Sequence, residues 1–240
     1  QAGEKIVRVL AADESAEAHF VANTVKQATA AQDTAGSFAV LYRTNAQSRA
    51  LEEAFLKYSV TYKIVGGLKF YQRKEIKDMV SLVRFFVNPK DFLALERILP
   101  ALKAGIGKAT LDRWTTAANN TGASYIDAAY DAEALTAAEL SARKVIQLKQ
   151  FADIFLSIRH QLEGRIDVNL SQFLAILADK SGDIEALRDG TSEGDDRIAN
   201  VQELFSVATK YKEEDLATAM NRFLEEVALS SDTDELESAE

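Results

Sequence analysis

Across 240 residues the chain carries 28 Lys+Arg against 37 Asp+Glu, a formal net charge of −9, which excludes a uniformly basic nucleic-acid binder but not a local basic face. The absence of cysteine and the presence of only two histidines, His19 and His160, remove disulfide frameworks, thiolate zinc sites, thiol nucleophiles and His-rich metal or acid–base centres. With 2 prolines, 11 glycines and no apolar run near the roughly 20 residues that span a bilayer, the sequence predicts a mostly helical, soluble, cytoplasmic protein with no membrane segment.

In chain order, Lys5 to Leu10 (KIVRVL) is a β-branched run that reads as a strand. Glu14 to Thr29 sets Ala18, Phe20, Val21 and Val25 at helical spacing. Ser37 to Tyr42 (SFAVLY) is a near-continuous apolar run, the mark of a strand buried on both faces of a parallel sheet. Asn45 to Tyr58 reads as a helix with Leu51, Ala54 and Phe55 on one side, and Thr61 to Val65 as a third strand closed by Gly66-Gly67. Strand, helix, strand, helix, strand is the order of an α/β unit with a parallel sheet. Three strands with few covering helices make a thin sheet. Residues 1–85 are therefore expected to be part of a sheet domain whose remaining strands lie outside this chain.

From Arg73 onward the pattern is helical. Helices are expected over Lys74 to Val87, ending at Asn88-Pro89, and over Asp91 to Leu99, stopped by Pro100. Others follow over Lys108 to Asn119, Thr136 to Glu163, Asn169 to Lys180, Asp195 to Lys212 and Leu216 to Leu229. In the long one, Val145, Leu148, Phe151, Ala152, Phe155, Ile158 and Leu162 form a stripe suited to a bundle core. The fold class is thus α/β plus all-α, with a partial sheet domain over 1–85, a helical domain over 86–229 and an acidic tail over 230–240 expected to be solvated or disordered. Charge is uneven: residues 66–113 hold 10 basic and 5 acidic residues, whereas 182–240 hold 5 basic and 17 acidic ones.

Three segments carry chemistry. The first, Tyr42-Arg43-Thr44-Asn45-Ala46-Gln47-Ser48-Arg49, follows the second strand, and parallel sheets bind ligands at the carboxyl ends of their strands. There an aromatic ring can stack on a base and a guanidinium can grip a phosphate. The same residues also suit a capped helix start, with Thr44 or Asn45 as the cap and Arg43 solvated. The second, Gly66 through Asp78, interleaves aromatics and bases after two glycines. That composition fits nucleic-acid backbone contact with stacking and equally fits a packed turn with a charged helix face.

The third, Gly105-Ile106-Gly107-Lys108, opens a helix. It is not a phosphate-binding P-loop, because Leu102 stands where the motif needs its first glycine and Ala109 where it needs Ser or Thr. A glycine turn with free amides at a helix N-terminus, beside a lysine, still offers a seat for one backbone phosphate.

Together AVLYRTNAQSR and GGLKFYQRKEIKD resemble motifs IV and IVa of superfamily 1 DNA helicases of the PcrA/UvrD/Rep family. The order of GIGKATLDRW, DKSG, RIANVQELFSVATKY and ALSSDTDELES extends the resemblance over essentially the whole chain. The resemblance implies that residues 1–85 begin the second RecA-like domain, 2A, and that 86–229 form the helical 2B domain inserted into it. The tail would lead back toward 2A.

The parent would be an ATP-dependent 3′ to 5′ DNA helicase and translocase working at a single-strand/duplex junction. This chain would supply half an ATP site and the duplex-facing domain, and would be inactive alone for want of Walker A and B motifs. The resemblance assigns Tyr42 to stacking on adenine and Arg43 to the γ-phosphate as a catalytic arginine finger. Lys69 and Arg73 would lie near the single-stranded track, and Gly105, Ile106, Gly107 and Lys108 against duplex phosphates. Mg²⁺ would accompany ATP with its ligands outside this chain, and the missing 1A and 1B segments and the remaining 2A segments of the parent would be its partners, along with DNA. Arg197 and Asn200 match a stretch of 2B expected to hold helices together. The family often has Arg-Gly-Ile-Gly at the turn, where this chain has Lys103-Ala104-Gly105. Two other readings share these residues: a non-catalytic DNA- or protein-binding module on a helicase-derived scaffold, and a segment of a helicase–nuclease subunit.

Overall fold

A computed structural model describes residues 5–31, 38–65 and 67–237. The chain divides into two compact units, residues 1–73 and 74–240. The division lies ahead of the expected boundary at residue 85, because α3 (Lys74–Val87) packs with the helices that follow it.

In the first unit, α1 (Glu14–Ala31) begins beside Asp13, whose Oδ1 accepts from Ala16 N at 2.7 Å. A 3₁₀ turn (Asn45–Gln47) leads into α2 (Ser48–Lys57). Small residues let α1 and α2 approach: Ala18 and Ala22 pack against Ala54 and Phe55, with Val21, Val25 and Leu51 around them. His19 meets Tyr58 edge-on, 5.6 Å between ring centroids.

The three expected strands do not form among the described residues. Residues 5–10, 38–42 and 60–64 have no helical or strand pairing, and Ser37 and Gly66 lie outside the described residues. The reason is physical: a strand exists only when a neighbour takes up its N–H and C=O groups, and none of these segments pairs with another. Ile6, Leu10 and Leu41 are 98%, 92% and 93% exposed, whereas Val40, Val60 and Tyr62 pack partly buried against the core of α1 and α2. Among the described residues, the part of the chain expected to form a sheet shows two packed helices and segments without strand pairing.

The second unit is wholly helical among the described residues. After α3 come α4 (Phe92–Ala101), α5 (Lys108–Thr121), α6 (Tyr125–Ala128) and α7 (Ala132–Ala137). Then follow α8 (Ala142–Leu162), α9 (Leu170–Ser181), α10 (Asp183–Leu187), α11 (Ser192–Ala208) and α12 (Leu216–Glu237). The core is aromatic: Phe85 of α3 lies 4.9 Å from Phe155 of α8, and Trp114 of α5 lies 5.8 Å from Phe151, ring to ring. The expected stripe on α8 is buried at Leu148, Phe151, Ala152, Phe155 and Ile158. Asp91 and Asn169 cap α4 and α9 through their side chains, Asn169 within a full capping box. Arg97 of α4 pairs with Asp78 of α3 at 2.8 Å, and Asn200 of α11 reaches the buried Glu75 of α3 at 2.6 Å.

Four expectations change here. Pro100 does not stop α4, which carries it in its last turn and ends at Ala101, with Leu102 as the C-cap. The helix expected over Thr136 to Glu163 is two, α7 and α8, separated by a turn in which Glu139 takes φ 53°. The short α6 and α10 were not expected. The tail continues as helix to Glu237 instead of fraying at Leu229, with Ser230 Oγ bonded back to the Glu226 carbonyl at 2.9 Å; residues 238–240 lie outside the described residues. Among the described residues, no helix is long and apolar enough to cross a membrane.

Candidate functional site

Two places in the structure collect the residues singled out by the sequence, one in each unit. In the first unit, the segment after residue 41 turns sharply into α2. Gln47 makes that turn: its Oε1 accepts from the backbone N–H groups of Arg43 and Thr44, both at 3.1 Å. These bonds fix the backbone under Tyr42 and Arg43 while leaving both side chains outward. Tyr42 is 36% exposed and stands at the edge of a cleft of about 1050 Å³ whose lining includes Val25, Phe38, Val40, Leu51 and Phe55. Arg43 is exposed, and its guanidinium makes no hydrogen bond or ion pair among the described residues. A ring and a free guanidinium are thus presented side by side on a braced turn. They suit stacking on a flat base and charge contact with a phosphate.

Lys69 and Arg73 are placed differently from each other. The Lys69 ammonium lies over the Tyr62 ring, 5.5 Å from its centroid, and the side chain is half-buried. Arg73 is only 6% exposed. Its Nη2 donates to Ser48 Oγ at 2.6 Å, its Nε to the Leu68 carbonyl at 3.3 Å, and its guanidinium covers the Phe70 ring at 5.4 Å. Phe70 N in turn donates to Glu52 Oε2 at 3.3 Å. Arg73 therefore pins the loop 67–72 onto α2; its charge is spent inside the unit. The sequence could not distinguish this from an outward arginine, because the partner Ser48 lies 25 residues away.

In the second unit, α4 and its C-cap Leu102 are followed by a left-handed Lys103, φ 49°, whose N–H bonds the Pro100 carbonyl at 3.1 Å. Gly105 follows at φ 68°, a region that costs an L side chain strain, and Gly107 caps α5 with extended backbone. Gly105, Gly107 and Lys108 are exposed and Ile106 is half-buried. The first carbonyl of α5 to accept helical bonds is that of Gly107, from Thr110 and Leu111 at 3.0 Å. The amides of Lys108 and Ala109 come before any intrahelical acceptor and remain available to an anion.

Sequence reasoning missed the groups that shape this turn. Lys144, in the first turn of α8, donates through Nζ to the Gly105 carbonyl and to Gln147 Oε1, each at 2.9 Å. Arg113 of α5 donates to the Glu139 carbonyl, in the turn leading into α8, at 2.9 Å. The one available signal was a pair of cations, Arg143 and Lys144, in the first turn of a helix, where the helix dipole does not favour them.

Comparison with known proteins places the chain as a whole in a family. The UvrD-like helicase C-terminal domain matches residues 1–240. The ATP-dependent DNA helicase UvrD1 of Mycobacterium tuberculosis is 34% identical over 253 residues, covering 98% of this chain and 32% of that protein. The ATP-dependent DNA helicase PcrA of Leuconostoc citreum is 33% identical over 243 residues, covering 98% of this chain and 32% of its own length. PcrA of Staphylococcus aureus is 34% identical over 236 residues, covering 97% and 32%. The chain spans about a third of the length of these curated relatives. With the match running from the first residue to the last, the chain belongs to the UvrD-like helicase C-terminal domain family.

Proposed function

We propose that this chain is the part of an ATP-dependent, 3′ to 5′ DNA helicase that closes the nucleotide site from one side and faces the duplex. The observation that carries the reading is the braced turn at Tyr42 and Arg43. In a chain of this family, an outward ring and an uncommitted guanidinium sit together, held from below by Gln47. In this reading residues 1–85 begin domain 2A and 86–229 form domain 2B. The segments at 5–10, 38–42 and 60–65, which lack strand pairing among the described residues, then take their place in a RecA-like sheet completed by the rest of the parent, and the cleft beside Tyr42 is filled in the same way.

The chemistry follows from the side chains. Tyr42 stacks on the adenine and orients the nucleotide. Arg43 faces the terminal phosphate and stabilises the negative charge that develops as that phosphoryl group is transferred to water. Such a contact contributes about 10³-fold or more to turnover. Mg²⁺ would be held by residues elsewhere in the parent and would supply charge neutralisation to the nucleotide. Lys69 lies along the single-stranded track, on a loop that Arg73 fixes in place. The amides after Gly105 and the Lys108 ammonium hold one duplex phosphate without reading sequence. Alone, the chain has neither a Walker A lysine nor Walker B carboxylates and does not hydrolyse ATP.

Photolabelling tests this reading. An azido-adenine nucleotide bound to the full-length parent should mark the peptide carrying Tyr42. Labelling confined to peptides outside residues 38–49 contradicts it.

A further inference from the structure

Resting on the reading of the Gly105–Lys108 turn as a duplex contact, we propose that Lys144 is a positioning residue for that contact, with Gln147 as its support. Helix α8 holds the turn in its phosphate-facing shape while staying off the phosphate itself.

Gly105 is engaged by α8 from two directions. Its carbonyl receives the Lys144 ammonium at 2.9 Å. A Cβ added at Gly105 would stand 2.6 Å from Gln147 Nε2. The carbonyl of Gly105 and the N–H of Ile106 belong to one planar trans peptide and point in opposite directions. Anchoring that oxygen on α8 therefore turns the Ile106 N–H away from α8. The glycine supplies the left-handed backbone, and the lysine selects which way its peptide faces.

The clamp is reciprocal. Lys144 of α8 holds the carbonyl in front of α5, and Arg113 of α5 holds the Glu139 carbonyl in front of α8. Sliding one helix along the other would break both. Nothing in the stability of α8 explains a lysine at this position. Its first turn contains no acidic residue, Ser141 makes no capping bond through its side chain, and the positive end of the helix dipole disfavours Arg143 and Lys144 alike. Two of the three ammonium donors are already committed, to Gly105 and to Gln147.

The test uses the full-length parent with Lys144→Met, Lys144→Arg and Lys108→Ala, measuring forked-duplex affinity across a salt series. Lys144→Met should weaken binding about 10-fold, the effect of losing one charged hydrogen bond. Its dependence of log K on log salt should match wild type, because no phosphate contact is removed. Lys144→Arg, which can still donate to the carbonyl, should recover most of the affinity. Lys108→Ala should weaken binding and lower the salt slope by about 0.9.

A slope that falls by the same amount in Lys144→Met makes Lys144 a direct phosphate contact and overturns the proposal. Wild-type affinity in Lys144→Met, with Lys108→Ala weakened, removes the positioning role alone. Wild-type affinity in both removes the duplex contact at this turn, and the positioning role with it.

Discussion

Asn200 of α11 donates to the carboxylate of Glu75 on α3, Nδ2 to Oε1 at 2.6 Å, although the two residues lie 125 positions apart. Both are buried, Asn200 at 3% exposure and Glu75 at 6%. A carboxylate in that position depends on its donor, since an unpaired buried charge is far more costly than a missing surface contact. The bond ties the first helix of the unit to one of its last.

Asn200→Ala should therefore destabilise the protein by about 1–3 kcal/mol, the range for stranding a buried acceptor. The melting midpoint measures it. A midpoint indistinguishable from wild type would show that water or another donor replaces Asn200 at no cost.

Acid should weaken the same unit through Glu226. Burial pushes this carboxyl up from its ordinary value of 4.5, but hydrogen bonds from Lys210 and Tyr211 outweigh burial and hold it lower. The Tyr211 bond to Oε2 is 2.6 Å. A carboxyl whose folded value is lowered binds protons more readily once unfolded. Its contribution is present above the unfolded value and is lost as pH falls through the folded one. Melting midpoints should thus fall on acidification below about 4.5. Glu226→Gln should flatten part of that fall, and an acid limb identical to wild type would contradict the assignment.

The two glycines of the GIG turn should respond differently to alanine. Gly105 has φ 68° and Gln147 in the way, whereas Gly107 has extended backbone and nothing within 4 Å of an added Cβ. Gly105→Ala should weaken forked-duplex binding by the parent about 10-fold, from a left-handed strain of roughly 1–2 kcal/mol. Gly107→Ala should leave it within about twofold, since extended backbone accepts alanine without strain. Equal effects in a binding titration would count against a left-handed Gly105 and an extended Gly107 in this turn.

How far the sequence was readable depends on how local each determinant is. The amphipathic stripe of α8 and the Asn169 capping box are set within one helix, and both could be read directly. The strands at 5–10, 38–42 and 60–65 show the composition of buried β-structure, but a strand is a relation between segments and the described residues offer no partner. The break between α7 and α8 depends on Glu139 at φ 53°, which an Ala- and Glu-rich stretch does not advertise; Ser141, an N-cap type just before α8, was the available hint. At the sites, Tyr42 closes an apolar run that reads as a buried strand, yet Tyr42 and Arg43 are both exposed. Arg73 and Lys144 could not be separated by sequence, since both are cations in basic neighbourhoods. One turns inward to Ser48, and the other crosses 39 residues to the Gly105 carbonyl.

On the proposed reading, the Arg43 guanidinium, exposed on its braced turn, completes a nucleotide site in the parent. Steady-state ATP hydrolysis by the DNA-bound, full-length protein carrying Arg43→Ala, alongside nucleotide affinity measured separately, tests it most directly. Turnover should drop about 10³-fold or more while affinity falls only modestly, as for the loss of an arginine finger. Hydrolysis near the wild-type rate would contradict it.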